Sequence, residues 1–397
     1  MASNPLVYLD IEIDEEKIGR IVIELFRNEA PQSTENFLHL CEGDILKDLT
    51  RSGNGKRLSL ENNFFHRIIK NFMVQAGDIV FGSDKFIKSS DIGRGGCSIY
   101  ATDEELQKLD TPLPCYGIFQ DENLGEFDVP FLVAMANSGT PNTNSSQFFI
   151  TTSSAPHLNK KHSIFGRVTE GKSVVRTIEN IKVDDDGFPA SCVRISACGN
   201  WEPEMGVPVY NASNSKVGGD IYEEYPEDDT NFNQDNFQEA FKATDTIKCS
   251  GSLLFKEKNY QEAYFKYRKA LRYANEFIPE KEMDEENNLK FQGLKVKLFL
   301  NLSLTLYRLR RYKESANYAG YVLDAPSITK TDAAKAYYRR ATAYIELKRL
   351  DDALADFKLC EENNPSDKVV QEKIQYVNNL LQQKKEKTKR SIAKFFA

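Results

Sequence analysis

The chain has 397 residues, a formal net charge of −7 and 40% hydrophobic residues. Its length exceeds what one hydrophobic core usually organises, so we expect at least two domains, and its apolar content excludes wholesale disorder. The acidic balance argues against nucleic acid or an anionic membrane as the main partner. No apolar run approaches the ~18 residues of a membrane span, and the first residues lack a signal-peptide pattern. A cytoplasmic or nuclear protein is therefore predicted.

The cysteine and histidine patterns argue against a metal site. Seven cysteines are an odd number and form no CxxC pair, which favours reduced thiols over disulfides or a zinc site. His157 and His162 lie five positions apart, which is not the spacing of a helical metal pair. We expect no metal and no other cofactor.

The first segments indicate antiparallel β structure followed by a helix. The runs VYLDIEI and GRIVIELF alternate apolar and polar residues around DEEKIG, which predicts a hairpin whose turn carries Gly19. Pro31 then opens a helical pattern with Phe37, Leu40 and Cys41 on one face and Gly43 as its stop. A long polar loop follows.

The run FFHRIIKNFMVQAGD at 64–78 has an unusual arginine. Alternation places Phe65, Arg67 and Ile69 on the core-side face of a half-buried strand. A buried ion pair, or inward packing of the aliphatic stem, would explain such an arginine without any function.

Two further runs change this interpretation. FLVAMANSGTPNTNSSQFFIT at 131–151 and HLNKKHSIFGRV at 157–168 follow FHRI and FMVQAGD in one order, and together they resemble the cyclophilins. The resemblance extends from YLDIEI at 8–13 to CGNW at 198–201. It implies an N-terminal antiparallel β-barrel capped by helices over residues 1–202, and peptidyl-prolyl cis-trans isomerase activity on prolyl segments of client proteins.

The same resemblance implies the site residues. The implied catalytic residues are Arg67, Phe72, Gln75 and His162, and the implied substrate-binding residues are Met73, Ala136, Asn137, Gln147, Phe149, His157 and Leu158. Rotation about an X-Pro bond needs no covalent step, so a site needs only an apolar cup for the ring and a donor for the prolyl nitrogen. Arg67 is the candidate donor.

Several departures from the cyclophilin pattern lie near this site. Residues 101–118 form an insertion in which DEELQKL predicts one or two helical turns, Thr140 is also inserted, and Ser145 replaces a usual glycine. His157 stands where many cyclophilins have tryptophan, which predicts weak binding of cyclosporin-type ligands. The insertion supports an alternative, an adaptor that binds prolyl segments without turnover, whereas Arg67 and Gln75 favour the enzyme.

The second half of the chain predicts an all-α superhelix. Residues 203–232 are acidic and rich in Gly, Pro and Asn, which indicates a linker, and residues 233–397 resemble tetratricopeptide repeats (TPR) near 244–277, 297–330 and 334–367. Small and aromatic residues mark the first and third repeats: Gly251, Ala263, Tyr267, Ala270, Ala341, Tyr344, Ala353, Phe357 and Cys360. A helix over about 367–395 would cap the array. An amphipathic bundle is the alternative, and the basic tail favours a solubilising cap over a calmodulin or nuclear-import signal.

A second site is implied by the resemblance to TPR-bearing cyclophilin co-chaperones. Their TPR helices hold the acidic C-terminus of the ninety-kilodalton heat-shock chaperone in a carboxylate clamp, and the matching residues here are Lys248, Ser252, Asn301, Lys335 and Arg339. Lys335 and Arg339 lie four apart and can converge on one anion. Ser252 replaces an asparagine, and a solvated basic face is the alternative.

Overall fold

The computed structural model describes residues 3–43, 58–82, 85–102, 104–105, 115–326, 328–365 and 367–395. The chain divides into two compact units, Met1–Asn211 and Ala212–Ala397. The division falls inside the acidic stretch that the sequence indicates as a linker. On the first side Val209 forms a bridge to Gly19, and on the second side Asp220 is buried against Lys266 and Lys269.

The first unit is built on an antiparallel sheet. Its strands are β1 (Leu6–Ile13), β2 (Glu16–Leu25), β3 (Arg67–Ile69), β4 (Met73–Ala76), β5 (Gly96–Cys97), β6 (Cys115–Tyr116), β7 (Leu132–Met135), β8 (Phe148–Thr151), β9 (Ile164–Glu170) and β10 (Val193–Asn200). The 8-stranded sheet has the order β10-β1-β2-β9-β7-β8-β4-β3, and β5 pairs with β6 separately. Phe64 bridges Arg194, and its neighbour Phe65 donates its N–H to Val193 O at 2.9 Å. These bonds link β10 to the segment just before β3, at the other end of the sheet, and the predicted barrel is confirmed.

The turn of the first hairpin is not where the sequence places it. The chain reverses at Asp14 and Glu15, which both have positive φ, while Gly19 lies inside β2 opposite Ile11, next to a register shift. A side chain at Gly19 would meet Pro208 O and Val174 Cγ2 at 2.9 Å. The prediction of Gly19 as a turn residue is wrong, because the glycine is required for close packing.

Two helices accompany the barrel in the described part of the first unit, α1 (Pro31–Glu42) and α2 (Lys172–Glu179). The predicted face of α1 is confirmed, since Phe37, Leu40 and Cys41 are at most 2% exposed. Gly43 ends α1 in the left-handed region at φ 66°, as its N–H donates to His39 O. Helix α2 was not predicted.

Arg67 does not lie on the core side as the alternation predicts. Phe64 and Phe65 are both fully buried, and Arg67 is exposed while Ile68 is 1% exposed. The alternation fails because both faces of the chain are covered at 64–65. Phe64 packs edge-on against Phe86 at 5.2 Å, and Phe65 packs against Phe148 at 6.3 Å.

The second unit is helical. Its helices are α3 (Phe237–Lys256), α4 (Tyr260–Phe277), α5 (Glu285–Arg308), α6 (Tyr312–Leu323), α7 (Lys330–Glu346), α8 (Leu350–Asn363) and α9 (Lys368–Phe395). Helices α3 and α4 cross closely at Gly251, where a Cβ would meet the Tyr267 ring at 2.9 Å. Ala341, Ala353 and Phe357 are fully buried in the third pair. These are the small and aromatic contacts that a TPR pattern predicts.

Some predictions fall on residues that are not described. The loop at 44–57 and most of the 101–118 insertion, including the predicted turns of DEELQKL beyond Glu105, lie outside the described residues. Among the described helices, none has the length and apolar character needed to span a membrane.

Candidate functional site

Three strands align the first group of predicted site residues. Arg67 on β3 pairs with Gln75 on β4, and Gln75 pairs with Phe149 on β8. Directly paired residues project from the same face of a sheet, so these three side chains form one row on the outside of the barrel. Their neighbours Ile68, Val74 and Phe148 project inward and belong to the main core.

The row borders an apolar cluster that is separate from the main core. Its buried members include Met73, Phe149 and Phe127, and its partly buried members include Phe72 and Leu158. Phe127, which was not predicted, stacks under Phe149 at 6.0 Å between ring centroids. This cluster forms an apolar cup beside the row.

Two histidines border the cup. His162 meets Phe149 edge-on at 5.3 Å, and the exposed His157 lies 4.8 Å from the Phe72 ring. His162 Nδ1 lies 3.1 Å from Met135 O, and because a carbonyl only accepts, Nδ1 carries the proton and Nε2 is an acceptor. Burial lowers the pKa of His162 below its ordinary value, so the neutral ring is favoured.

A directed hydrogen-bond relay lies behind the row. Gln147, 8% exposed, donates Nε2 to Gly93 O at 3.0 Å and to Gly95 O at 2.6 Å. Its Oε1 therefore faces Gln75 and accepts from Gln75 Nε2 at 2.8 Å. Since carbonyls cannot donate, they fix the orientation of both amides. The relay leaves Gln75 Oε1 as an acceptor beside Arg67.

Arg67 is exposed at the edge of the cup. Within the described residues its guanidinium makes no hydrogen bond or ion pair, and no bond joins it to Gln75. Arg67 and Gln75 are related as directly paired residues of β3 and β4. An exposed guanidinium next to an apolar cup is available to a ligand.

The remaining predicted residues lie at one end of the row. Ala136 donates its N–H to Gln147 O at 2.9 Å, while Asn137 donates Nδ2 to Lys161 O at 3.0 Å and accepts from Gly139 N–H at 3.1 Å. The Asn137 side chain therefore stabilises its own loop. Its backbone remains the part suited to pair with a peptide.

A cavity of about 490 Å³ adjoins this end. It is lined in part by Gln75, Asn137 and Gln147, and also by Cys115 and Ile118 from the end of the 101–118 insertion. Ser145 lines the same cavity and donates Oγ to Tyr116 O at 2.9 Å. Ser145 and the end of the 101–118 insertion thus form part of the wall, whereas Thr140 does not line this cavity.

One important group in this region was missed. Asp78 is fully buried, and its carboxylate accepts N–H donors from Phe81 at 2.9 Å and from Gly93 at 2.7 Å and Gly95 at 3.2 Å. It therefore fixes the turn whose carbonyls hold Gln147. The aspartate that ends the MVQAGD run is visible in the sequence, but two of its partners, Gly93 and Gly95, are 15 and 17 positions away.

The second group of predicted residues is brought together by α3, α5 and α7. Arg339 on α7 donates to Leu300 O, next to Asn301 on α5, and Tyr267 OH donates to Ser252 Oγ at 3.1 Å. The charge of Arg339 also acts on Tyr267. Burial lowers the pKa of Arg339 to about 10, so it is still charged at neutral pH.

The lysines of this group differ in environment. Lys335 is 53% exposed and lines a cavity of about 600 Å³ together with Arg339, Tyr338 and Asn363. Lys248 is 16% exposed and contacts Asp245 one turn earlier on α3. Ser252 Oγ donates to Lys248 O at 3.1 Å, so Lys248 and Ser252 lie on one face of the helix.

The comparisons with known proteins agree with both units. Residues 8–200 match the family described as cyclophilin type peptidyl-prolyl cis-trans isomerase/CLD, and residues 334–367 match the tetratricopeptide repeat. The chain is 57% identical over 397 residues to the Saccharomyces cerevisiae protein named peptidyl-prolyl cis-trans isomerase CYP7, with 100% of each covered. It is 35% identical over 397 residues to Kluyveromyces lactis peptidyl-prolyl cis-trans isomerase D, covering 100% of this chain and 99% of that one. The chain therefore belongs to the cyclophilin-type peptidyl-prolyl cis-trans isomerases, and it combines their catalytic domain with a tetratricopeptide-repeat region.

Proposed function

We propose that the isomerase works through Arg67, which donates a hydrogen bond to the prolyl nitrogen of the twisted X-Pro amide. The observation that carries this proposal is the exposed guanidinium, which has no partner among the described residues and stands in one row with Gln75 and Phe149. The planar amide has a barrier of ~20 kcal/mol, and the nitrogen gains a lone pair only when the amide twists. A donor aimed at that lone pair therefore stabilises the transition state more than the planar forms.

The apolar cup holds the proline ring while the amide bond rotates. Met73 and Phe149 are 3% and 4% exposed, so they present a fixed floor for the proline ring, and Phe72, Leu158 and His162 form its sides. The segment before proline then rotates while Asn137 and Gln147 border its path. No covalent intermediate and no cofactor is needed for this step.

The test is the variant Arg67→Ala in the full-length chain. We expect kcat/KM on a short prolyl peptide to fall by one to two orders of magnitude or more, since a lost transition-state donor costs ~2 to 4 kcal/mol. Lys17→Ala, which removes an exposed cation at the far end of the β1–β2 hairpin, is the matched control. Equal rates for Arg67→Ala and the wild type would exclude the assigned role.

We further propose that the second unit docks on the acidic C-terminus of the ninety-kilodalton heat-shock chaperone, and that the protein acts as a folding co-chaperone in the cytoplasm. Two observations support this proposal: Lys335 and Arg339 line one cavity, and Arg339 donates to Leu300 O beside Asn301, while Ser252 bonds to Lys248 O on the neighbouring α3. In a chain of net charge −7, a local group of cationic side chains indicates an anionic ligand. A peptide carboxylate is the anion that an Asn, Lys and Arg set recognises.

Docking is tested by titrating the full-length chain with a fluorescent acidic peptide that has a free C-terminal carboxylate, and with the same peptide amidated at its end. Lys335→Ala should weaken binding of the free acid about ten-fold, because charge-assisted hydrogen bonds contribute ~1.5 to 3 kcal/mol. Lys358→Ala, an exposed lysine on α8, is the control and should not change binding. Equal affinities for the acid and the amide would refute a carboxylate clamp.

We also propose weak binding of cyclosporin-type ligands at the isomerase site. His157 is exposed and its ring packs against Phe72, so it supplies less apolar surface than a tryptophan would at this position. Isomerisation does not depend on that surface, because the cup is formed by other residues.

A further inference from the structure

The proposed clamp already satisfies most of its own polar groups. Within the described residues, each of its members except Asn301 has a side-chain partner inside the second unit. Lys248 contacts Asp245, Lys335 lies 3.6 Å from Asp332, Ser252 bonds to Lys248 O and Tyr267, and Arg339 donates to Leu300 O. A ligand carboxylate must therefore replace existing partners.

The two lysine partners stand at the same spacing from their lysines. Asp245 precedes Lys248 by three residues on α3, and Asp332 precedes Lys335 by three residues on α7. Residues three apart on a helix share a face, so each aspartate lies on the same surface as its clamp lysine. We infer that Asp245 and Asp332 set the affinity of this site by competing with an incoming carboxylate for the two clamp lysines. This inference rests on the docking function proposed above.

The solvent exposure of the two Asp–Lys pairs indicates how strongly each aspartate competes with a ligand carboxylate. Asp245 is 41% exposed with Lys248 at 16%, and Asp332 is 27% exposed with Lys335 at 53%. Pairs with this much solvent contact are weak, so a ligand can displace them. The displaced aspartates nevertheless remain next to the bound anion and repel it. Docking is thus an exchange of ion pairs, which selects for a strongly anionic chain end.

A capping role does not explain both aspartates. Asp332 lies in the first turn of α7, where its N–H donates to Thr329 Oγ1 at 3.1 Å and its Oδ2 accepts from that hydroxyl at 2.9 Å. Asp245 lies within α3, which begins at Phe237, and is no cap. Replacement by asparagine removes the charge and keeps an oxygen for the Thr329 bond.

The experiment compares Asp245→Asn, Asp332→Asn and the double variant with the wild type in the full-length chain. The probe is the fluorescent acidic peptide with its free carboxylate, measured by anisotropy at low and high salt, with the amidated peptide alongside. Asp352→Asn is the matched control, because Asp352 pairs with Arg349 three residues away on α8 and is 50% exposed. Circular dichroism of each variant checks that the helices are intact.

We expect each single variant to bind about two- to five-fold more tightly, the range that corresponds to one exposed ion pair. Asp352→Asn should match the wild type, and the gain should shrink at high salt as screening increases. If the wild type prefers the free acid but the two variants bind no more tightly, the inference is wrong while the clamp stands. If the wild type does not distinguish acid from amide, the docking function itself fails.

Discussion

Lowering the pH from 7 to 5 should destabilise the first unit through His66. This side chain is 5% exposed, and neither ring nitrogen has a hydrogen-bond partner among the described residues. Burial lowers its pKa to about 4 from the ordinary value of 6.5, and the charge of Arg67 adds to this change, whereas the nearby Asp78, the Gln147 side chain and the Phe64 backbone oppose it. Between these two pKa values the unfolded chain binds a proton at His66 and the folded state does not. The contribution of the neutral His66 to the free energy of unfolding is therefore fully present above pH 6.5 and is lost as the pH falls toward 4.

The size of the effect follows from proton linkage. With a folded-state pKa of about 4 against 6.5 in the unfolded chain, the first unit loses ~2 kcal/mol between pH 7 and pH 5. His66→Gln removes this term, because glutamine does not titrate. The free-energy difference between variant and wild type should therefore shift by ~2 kcal/mol in favour of the variant over this pH range.

Urea denaturation of the full-length chain measures the shift. The chain has one tryptophan, Trp201, and it lies in the first unit, so its fluorescence reports the unfolding of that unit. All other titrating groups are common to both proteins, and their contributions cancel in the difference. A variant-to-wild-type difference that is the same at pH 7 and pH 5 would refute the reasoning.

Three further substitutions test the two sites. Gln147→Met leaves the carbonyls of Gly93 and Gly95 without their donor, so kcat/KM for a prolyl peptide should fall about ten-fold, and an unchanged value would discount the relay. His157→Trp should tighten cyclosporin binding in calorimetry with little change in isomerisation, and unchanged affinity would point to the 101–118 insertion instead. Ser252→Asn should strengthen binding of the acidic peptide, since the serine hydroxyl already donates to Lys248 O, and weaker binding would contradict this.

The sequence predicts those features that depend on local spacing. The face of α1, the glycine that ends it and the small residues between α3 and α4 all follow from periodicity, because each contact joins neighbouring turns or adjacent helices. Several residues of the cyclophilin motifs, among them Phe72, Met73 and Phe149, also lie together in one apolar cluster.

Long-range contacts explain what the sequence does not predict. Alternation misplaces Arg67 because Phe64 and Phe65 are covered on both sides by segments distant in sequence, including Phe86 and Phe148. The roles of Asp78 and of the glycine carbonyls depend on a turn that forms 15 or more residues away. Asp245 and Asp332 stand three residues before Lys248 and Lys335 in the sequence, but the spacing alone does not show that each aspartate pairs with its lysine, as it does in the structure.

The two sites differ in how firmly their polar groups are held, and this difference suits their tasks. In the isomerase site, Gln147 is 8% exposed and held by carbonyls whose turn is fixed by a fully buried Asp78. Stabilising a transition state requires groups that do not reorganise during the reaction, and buried hydrogen bonds supply that rigidity. In the proposed clamp, Lys335 is 53% exposed and its partner is displaceable. Binding requires only that the ion pair with the ligand be more favourable than the ion pair it replaces. Exposed and mobile charges can meet this requirement, and substitutions among them can change the affinity without disturbing the fold.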